Sequence, residues 1–337
     1  MFPGVLVSKK SAEEVRKLLK NKDVLDPNKA PLHEDNYVIF PIKEEKVAEA
    51  RSLGLRIVYR DFKVKRKIKS YKDLVQIPEN LKKYLPTSFD QIGDIVIIKI
   101  PEEVLDYASQ IGEAIIKAYK SVKSVYLDKG VKGPYRVRDL EHIAGERKTE
   151  TIYKEYGTRF IVDVSKVYVS PRLAEEHKKF SKYVKPSEIV FDMFSGFGPF
   201  SIFAAKKGAS AVATDINPYA IHYLYESAKL NRVEDKILGL VSDCRKVARL
   251  IKVNHVVMNY PHGSISFLDY ALESIKTPGY IHIYVIEYND KITQTADNIV
   301  HLIENKGYKA KLVEISCGKP YAPYQAYYGV HIRIVGD

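Results

Sequence analysis

Three aspartates, Asp192, Asp215 and Asp243, each stand at or just beyond the end of an apolar run: SEIVFD, ASAVATD and ILGLVSD. If each run is a parallel strand followed by a helix, the three carboxylates gather at one edge of a sheet, where open α/β folds bind ligands. Between the first two lies Ser195-Gly196-Phe197-Gly198-Pro199. Small residues there let a ligand approach the backbone, and Pro199 suits the first position of a helix. Asp215, ending the second run, can accept hydrogen bonds from both hydroxyls of a ribose. The chemistry is that of a nucleoside site.

The missing features narrow the ligand. SGFGPF lacks a full GxGxxG and has proline where a pyrophosphate would want an N–H, and there is no GK[ST] phosphate loop. S-adenosyl-L-methionine carries no phosphate and fits better. Asp192 would meet its ammonium group, Asp215 its ribose and Asp243 the adenine amino group, with Phe194, Gly196, Gly198, Ile216 and Cys244 beside them. Asn259-Tyr260-Pro261-His262 follows a fourth apolar run, HVVM. At that strand end Asn259 can orient a planar nitrogen base next to the cofactor's reactive end, while Pro261 stiffens the loop.

These residues need a doubly wound scaffold, and the third block of the chain, 166–337, supplies the required strand–helix alternation. The fold class is α/β: a doubly wound, Rossmann-like domain preceded by a middle α+β domain (70–165) and a small α/β domain (1–62). In the first block Gly4–Val7 and Tyr37–Pro41 read as strands, and Ser11–Leu19 as a helix with Ser11 as N-cap. Asp94–Pro101 reads as a buried strand and Glu102–Lys120 as an amphipathic helix.

Composition constrains the partner. The 337 residues carry 54 basic and 42 acidic side chains, a net charge of +12. Residues 1–160 hold 32 of the basic and 24 of the acidic groups, and Arg56–Lys69 has seven basic residues against one acid. Such a balance suits a polyanion, with residues 63–69 as a basic linker or a phosphate-contacting arm. Cys244 and Cys317 are the only cysteines, so a disulfide framework or a Cys-rich metal site is excluded, and the histidines lack metal-ligand spacing. No metal is expected. Without a signal-like start or an apolar run near ~18 residues, a cytoplasmic protein is expected.

The segments LPTSFDQIGDIVIIKIPEE, YRVRDLEHIAGE, KVYVSPRLAEE, DMFSGFGPFSI, DINPYA and MNYP, in that order, give the chain a close resemblance to the archaeal and eukaryotic tRNA (guanine-N1)-methyltransferases acting at tRNA position 37. The resemblance implies that the doubly wound domain is a class I methyltransferase. A monomer is expected, and the resemblance implies a protein that binds the tRNA body through its N-terminal domain and the anticodon loop at the catalytic site. It implies Glu176 as general base, Arg136 facing the guanine O6, and Asn259 holding the target base beside Pro261. Tyr168, Arg172, His177 and His262 would touch the flipped nucleotide. His177 replaces a frequent arginine, and Tyr260-Pro261-His262 a more usual Leu-Pro-Lys.

Neutral guanine is a poor nucleophile at N1, because that nitrogen carries a proton. Glu176 would remove it and Arg136 would stabilise the charge left on O6. Two other activities suit the same scaffold: a second methylation, of a tricyclic wyosine intermediate at the same position, and aminocarboxypropyl transfer in wyosine synthesis.

Overall fold

The computed structural model describes residues 1–64 and 70–336, so most of the basic segment expected as a linker lies outside the described residues. The chain divides into two compact units, Met1–Asp73 and Leu74–Asp337.

In the first unit, β1 (Phe2–Ser8), α1 (Ala12–Asn21), β2 (Leu32–Glu34), β3 (Tyr37–Pro41), α2 (Val47–Ser52) and β4 (Arg56–Arg60) follow in order. The strands form an antiparallel sheet, β2-β3-β1-β4. Alternation in β1 and β3 puts Val5, Val7, Val38 and Phe40 on the face covered by Leu19 of α1 and Ala50 of α2. Ser11 makes no capping hydrogen bond to α1, since its hydroxyl meets that of Ser8 at 2.8 Å.

The second unit opens with β5 (Asp90–Ile92), β6 (Ile95–Ile98), α3 (Ala108–Ala118), β7 (Ser124–Lys132) and β8 (Val137–Gly145), in a sheet ordered β5-β6-β7-β8. The expected helix at Glu102 begins as a 3₁₀ segment over Glu102–Tyr107 and becomes α-helical at Ala108. A hairpin of β9 (Glu150–Glu155) and β10 (Thr158–Asp163) and the short α4 (Ala174–Phe180) lead into the large sheet.

That sheet alternates β11 (Ile189–Asp192), α5 (Pro199–Lys206), β12 (Ser210–Asp215), α6 (Pro218–Asn231), β13 (Ile237–Val241), α7 (Cys244–Ala248), β14 (Val253–Met258), α8 (Leu268–Ser274), β15 (Ile275–Tyr288) and α9 (Ile292–Glu304), then closes with β16 (Lys309–Ala322) and β17 (Gln325–Gly336). Its order is β13-β12-β11-β14-β15-β17-β16, parallel through the first five strands and antiparallel in the last two. The order reverses between β11 and β14, which leaves a crevice at their carboxyl ends.

One face of the sheet is covered by α7, α8 and α9, the last through Ile292, Ala296, Ile299 and Ile303, a helical stripe. On the other face α5 is apolar on all sides and buried except for Lys206. Ile92, Ile95, Ile97 and Tyr126 of the middle block share a core there with Phe160, Phe197, Phe203 and Leu224. The middle block and the large sheet therefore form one unit. Among the described residues, no helix is long and apolar enough to cross a membrane.

Candidate active site

A cavity of about 1080 Å³ opens at the carboxyl ends of β11, β12, β13 and β14. Its floor is the turn after β11. Gly196 has φ +53° and Gly198 φ +81°, the left-handed region that glycine enters without strain. A Cβ on Gly198 would lie 1.9 Å from Leu224 Cδ1, so this glycine lets α6 pack against the turn. Beside Gly196 there is open space.

Asp215 fastens this turn. Its Oδ2 accepts from the Gly196 N–H at 2.8 Å and its Oδ1 from the Asn217 N–H at 2.9 Å. Each oxygen keeps a lone pair, enough for two hydroxyls. Burial raises the carboxyl's pKa, and the N–H groups of Asn217, Gly196 and Ile216 oppose the rise. Asp243 caps α7 by accepting from the Arg245 N–H at 3.0 Å, and also pairs with the Arg245 side chain. Arg245 and its contact were not foreseen, and they occupy much of the carboxylate assigned to the adenine amino group. Phe194, Ile216 and Cys244 line the same end. Phe267 stacks edge-on at 5.0 Å from Phe194, an apolar wall contributed by a 3₁₀ turn distant in sequence.

At the other end lie Arg136, Tyr168, Arg172, His177, Asn259, Pro261 and His262. Arg136 sits in a turn with φ +51° and is exposed to the cavity, and both burial and its charge lower the pKa of His262. Asn259 Oδ1 accepts a short hydrogen bond from the Tyr327 hydroxyl, which leaves the amide nitrogen to donate. His177 Nδ1 meets Glu155 Oε2 at 2.7 Å, both side chains being buried.

Three expected site residues stand away from the cavity wall. Gly198 serves the packing just described. Asp192 is fully buried behind the turn, where Ser201 donates to Oδ2 at 2.8 Å and Oδ1 has no partner among the described residues. Burial pushes its carboxyl up to about 7, and in this geometry the side chain supports the turn through Ser201. Glu176, on α4, is also completely buried. Lys179 Nζ donates to its Oε1 at 3.0 Å and the Ser316 hydroxyl contacts its Oε2. It nonetheless lies near the wall, because it acts electrostatically on the cavity-lining Tyr327.

Arg138, not singled out from sequence, lines the cavity from β8, bonds Asp90 and Asp128, and lies beneath the Tyr168 ring. Its only sequence signal was its place in the YRVRD segment. Among the described residues, no three His, Cys, Asp or Glu side chains converge as a metal-binding set.

Three family comparisons cover most of the chain. Residues 151–313 match the TRM5/TYW2 methyltransferase domain, 71–149 the TYW2 N-terminal domain and 4–49 the tRNA methyltransferase 5 N-terminal domain. The chain is 40% identical to the tRNA (guanine(37)-N(1))-methyltransferase Trm5b of Pyrococcus abyssi, over 99% of both proteins. The chain belongs to the tRNA (guanine(37)-N(1))-methyltransferase family. It is also 36% identical to Trm5b of Methanocaldococcus jannaschii over 97% of each. The crystal structure of the Pyrococcus abyssi protein superposes with a TM-score of 0.76, covering 99% of this chain and all of that one.

This is an S-adenosyl-L-methionine-dependent enzyme, and the cavity fits that cofactor. Asp215 retains the lone pairs that a ribose requires, the space over Gly196 admits a ligand, and Pro199 removes one N–H that a phosphate would seek. Asp215→Ala is expected to weaken S-adenosylmethionine binding by about 1–3 kcal/mol, read by isothermal titration. Unchanged binding would place the ribose elsewhere.

Proposed function

We propose that this chain methylates N1 of the guanosine at tRNA position 37. The observation that carries the reading is a single cavity joining the Gly196–Asp215 turn to Arg136 and Asn259, in a chain similar from end to end to Trm5b. The solved complex of aTrm5 with tRNALeu, at TM-score 0.73 and 34% identity over 98% of this chain, supports tRNA as the partner.

When bound, S-adenosylmethionine supplies an electrophilic methyl group. The chain must present an unstacked guanine to it in the right protonation state. Asn259 Nδ2 and the stiff Pro261 backbone orient the base, and Tyr168 gives it a ring to stack on, with Arg138 behind. Glu176 takes the N1 proton, which requires its Oε1 to exchange Lys179 for the base. Arg136 stabilises the charge on O6. Arg136→Ala is expected to lower single-turnover methylation about 10- to 100-fold, with cofactor affinity kept and no recovery at alkaline pH. A wild-type rate would remove Arg136 from the chemistry.

The N-terminal unit and the +12 charge support binding of the tRNA body. Affinity for tRNA should fall steeply with salt, and deleting residues 1–62 should weaken it while leaving cofactor affinity intact. A salt-independent affinity, or equal loss of both ligands, would contradict this assignment.

A second methylation, of a tricyclic wyosine intermediate, is favoured by one relative. The tRNA 4-demethylwyosine(37)-methyltransferase Taw21 of Saccharolobus solfataricus is 35% identical over 57% of this chain. Mass spectrometry of nucleosides from tRNA incubated with labelled cofactor separates the readings. N1-methylguanosine is expected; a methylated tricycle adds the second activity, and an aminocarboxypropyl adduct alone would overturn the methyl-transfer reading.

A further inference from the structure

Glu176 ends a row of buried side chains that play no part in holding cofactor or base. His255 on β14, His282 on β15 and His331 on β17 are each completely buried, and His282 stands directly opposite His331 in the strand ladder. Glu188, one quarter exposed, begins the row. Its Oε2 lies 2.9 Å from His255 Nε2, and His255 Nδ1 lies 3.1 Å from His282 Nε2. His282 Nδ1 is 2.8 Å from His331 Nδ1, and His331 Nε2 is 3.2 Å from the Ser316 hydroxyl, which contacts Glu176 Oε2. The row runs unbroken from the surface to a buried carboxylate.

Five hydrogen bonds need five protons. Ser316 and three neutral imidazoles supply four, and a carboxylate supplies none. Burial favours the neutral imidazoles: His255 and His282 are shifted below their ordinary range and His331 is pushed down to about 4. Lys179, Lys185 and Glu314 are the charged groups acting on the row besides its ends, and the Tyr183, Tyr280 and Tyr284 rings pack on it. The row is thus one proton short when both glutamates are ionised. A proton on either end completes all five links.

We propose that Ser316, His331, His282, His255 and Glu188 form a relay that carries the guanine N1 proton from Glu176 to the surface. The proposal rests on Glu176 as the base. The N1–H bond breaks, an O–H bond forms on Glu176 Oε1, and a turn of the carboxyl group brings that proton to Ser316. Ser316 passes its own to His331 Nε2, His331 Nδ1–H to His282 Nδ1, His282 Nε2–H to His255 Nδ1, and His255 Nε2–H to Glu188. Glu176 is left ionised, Glu188 protonated and all three tautomers inverted; Glu188 then releases the proton to water, and the rings return to their first tautomers before the row carries another. The row gives the buried carboxyl an exit for the proton that each turnover leaves on it.

Two measurements on the full chain test this. In ¹⁵N-histidine NMR of Glu176→Gln, Lys179 holds the amide oxygen and the NH₂ donates to Ser316, as a protonated Glu176 would. The expected tautomers are Nδ1–H at His331 and Nε2–H at both His282 and His255; any reversed or cationic ring overturns the relay. In the second, turnover of His282→Leu should fall about 10-fold near neutrality with cofactor affinity unchanged. It should recover at alkaline pH, where guanine sheds its N1 proton unaided. A loss equal at every pH, or no loss, also overturns the relay. Should His282→Leu fail to fold, the NMR result decides. A Glu176→Gln enzyme at full speed would instead remove the base reading itself.

Discussion

Glu176→Gln is expected to slow the chemical step about 100-fold or more near neutrality, with cofactor and tRNA affinities little changed. The substitution keeps the shape and the Lys179 contact but removes the carboxylate proposed to take the N1 proton. Raising the pH should restore part of the rate, because the guanine then loses its proton to solvent, whereas Arg136→Ala should not recover. Single-turnover methylation of both variants across pH makes the comparison. A Glu176→Gln enzyme that methylates at wild-type speed at neutral pH would assign the proton transfer to another group. His177, hydrogen-bonded to Glu155 at the cavity wall, would then be the next residue to test.

What could be read from sequence was what local chemistry dictates. The strand ending at Asp192, the glycine turn, Pro199 opening α5 and the strand ending at Asp215 lie within one short stretch, so their arrangement follows from period and turn chemistry alone. The doubly wound order was legible for the same reason. Side-chain direction was not. Asp192 and Asp215 both end strands, yet Asp215 faces the cavity while Asp192 points into the packing of α5, as the bond from Ser201 on that helix shows.

Long-range register was also hidden. His255, His282 and His331 look like unrelated residues inside apolar strands, and only the alignment of β14, β15 and β17 brings them together. Tyr327 reads as one more alternating strand residue, yet its hydroxyl holds Asn259 Oδ1 and so sets how that amide is presented to the cavity. The cavity thus depends on contacts whose partners lie tens of residues apart.

Arg138 carries the largest expected effect on stability. Its side chain is only 9% exposed and bonds Asp90 at 2.7 Å and Asp128 at 2.8 Å, whose own side chains are 11% and 6% exposed. Burial opposes the guanidinium's charge, but the hydrogen bond to Asp90 and the two carboxylates outweigh it, so its pKa lies above the ordinary value. Arg138→Met keeps much of the volume but takes the buried cation from two carboxylates, which is expected to cost about 3–5 kcal/mol on chemical denaturation. Adding Asp90→Asn and Asp128→Asn should recover most of that stability, since no uncompensated charge then remains. Activity should not recover with it. Asp90 also holds Arg172 at 3.4 Å, and Arg138 supports the Tyr168 ring and donates to the Val169 carbonyl at 3.2 Å, so the neutral triad leaves this wall of the cavity unanchored. A triple variant that regained both stability and turnover would reduce this cluster to a fold element; one that regained neither would mean that packing around Arg138, and not charge, sets its cost.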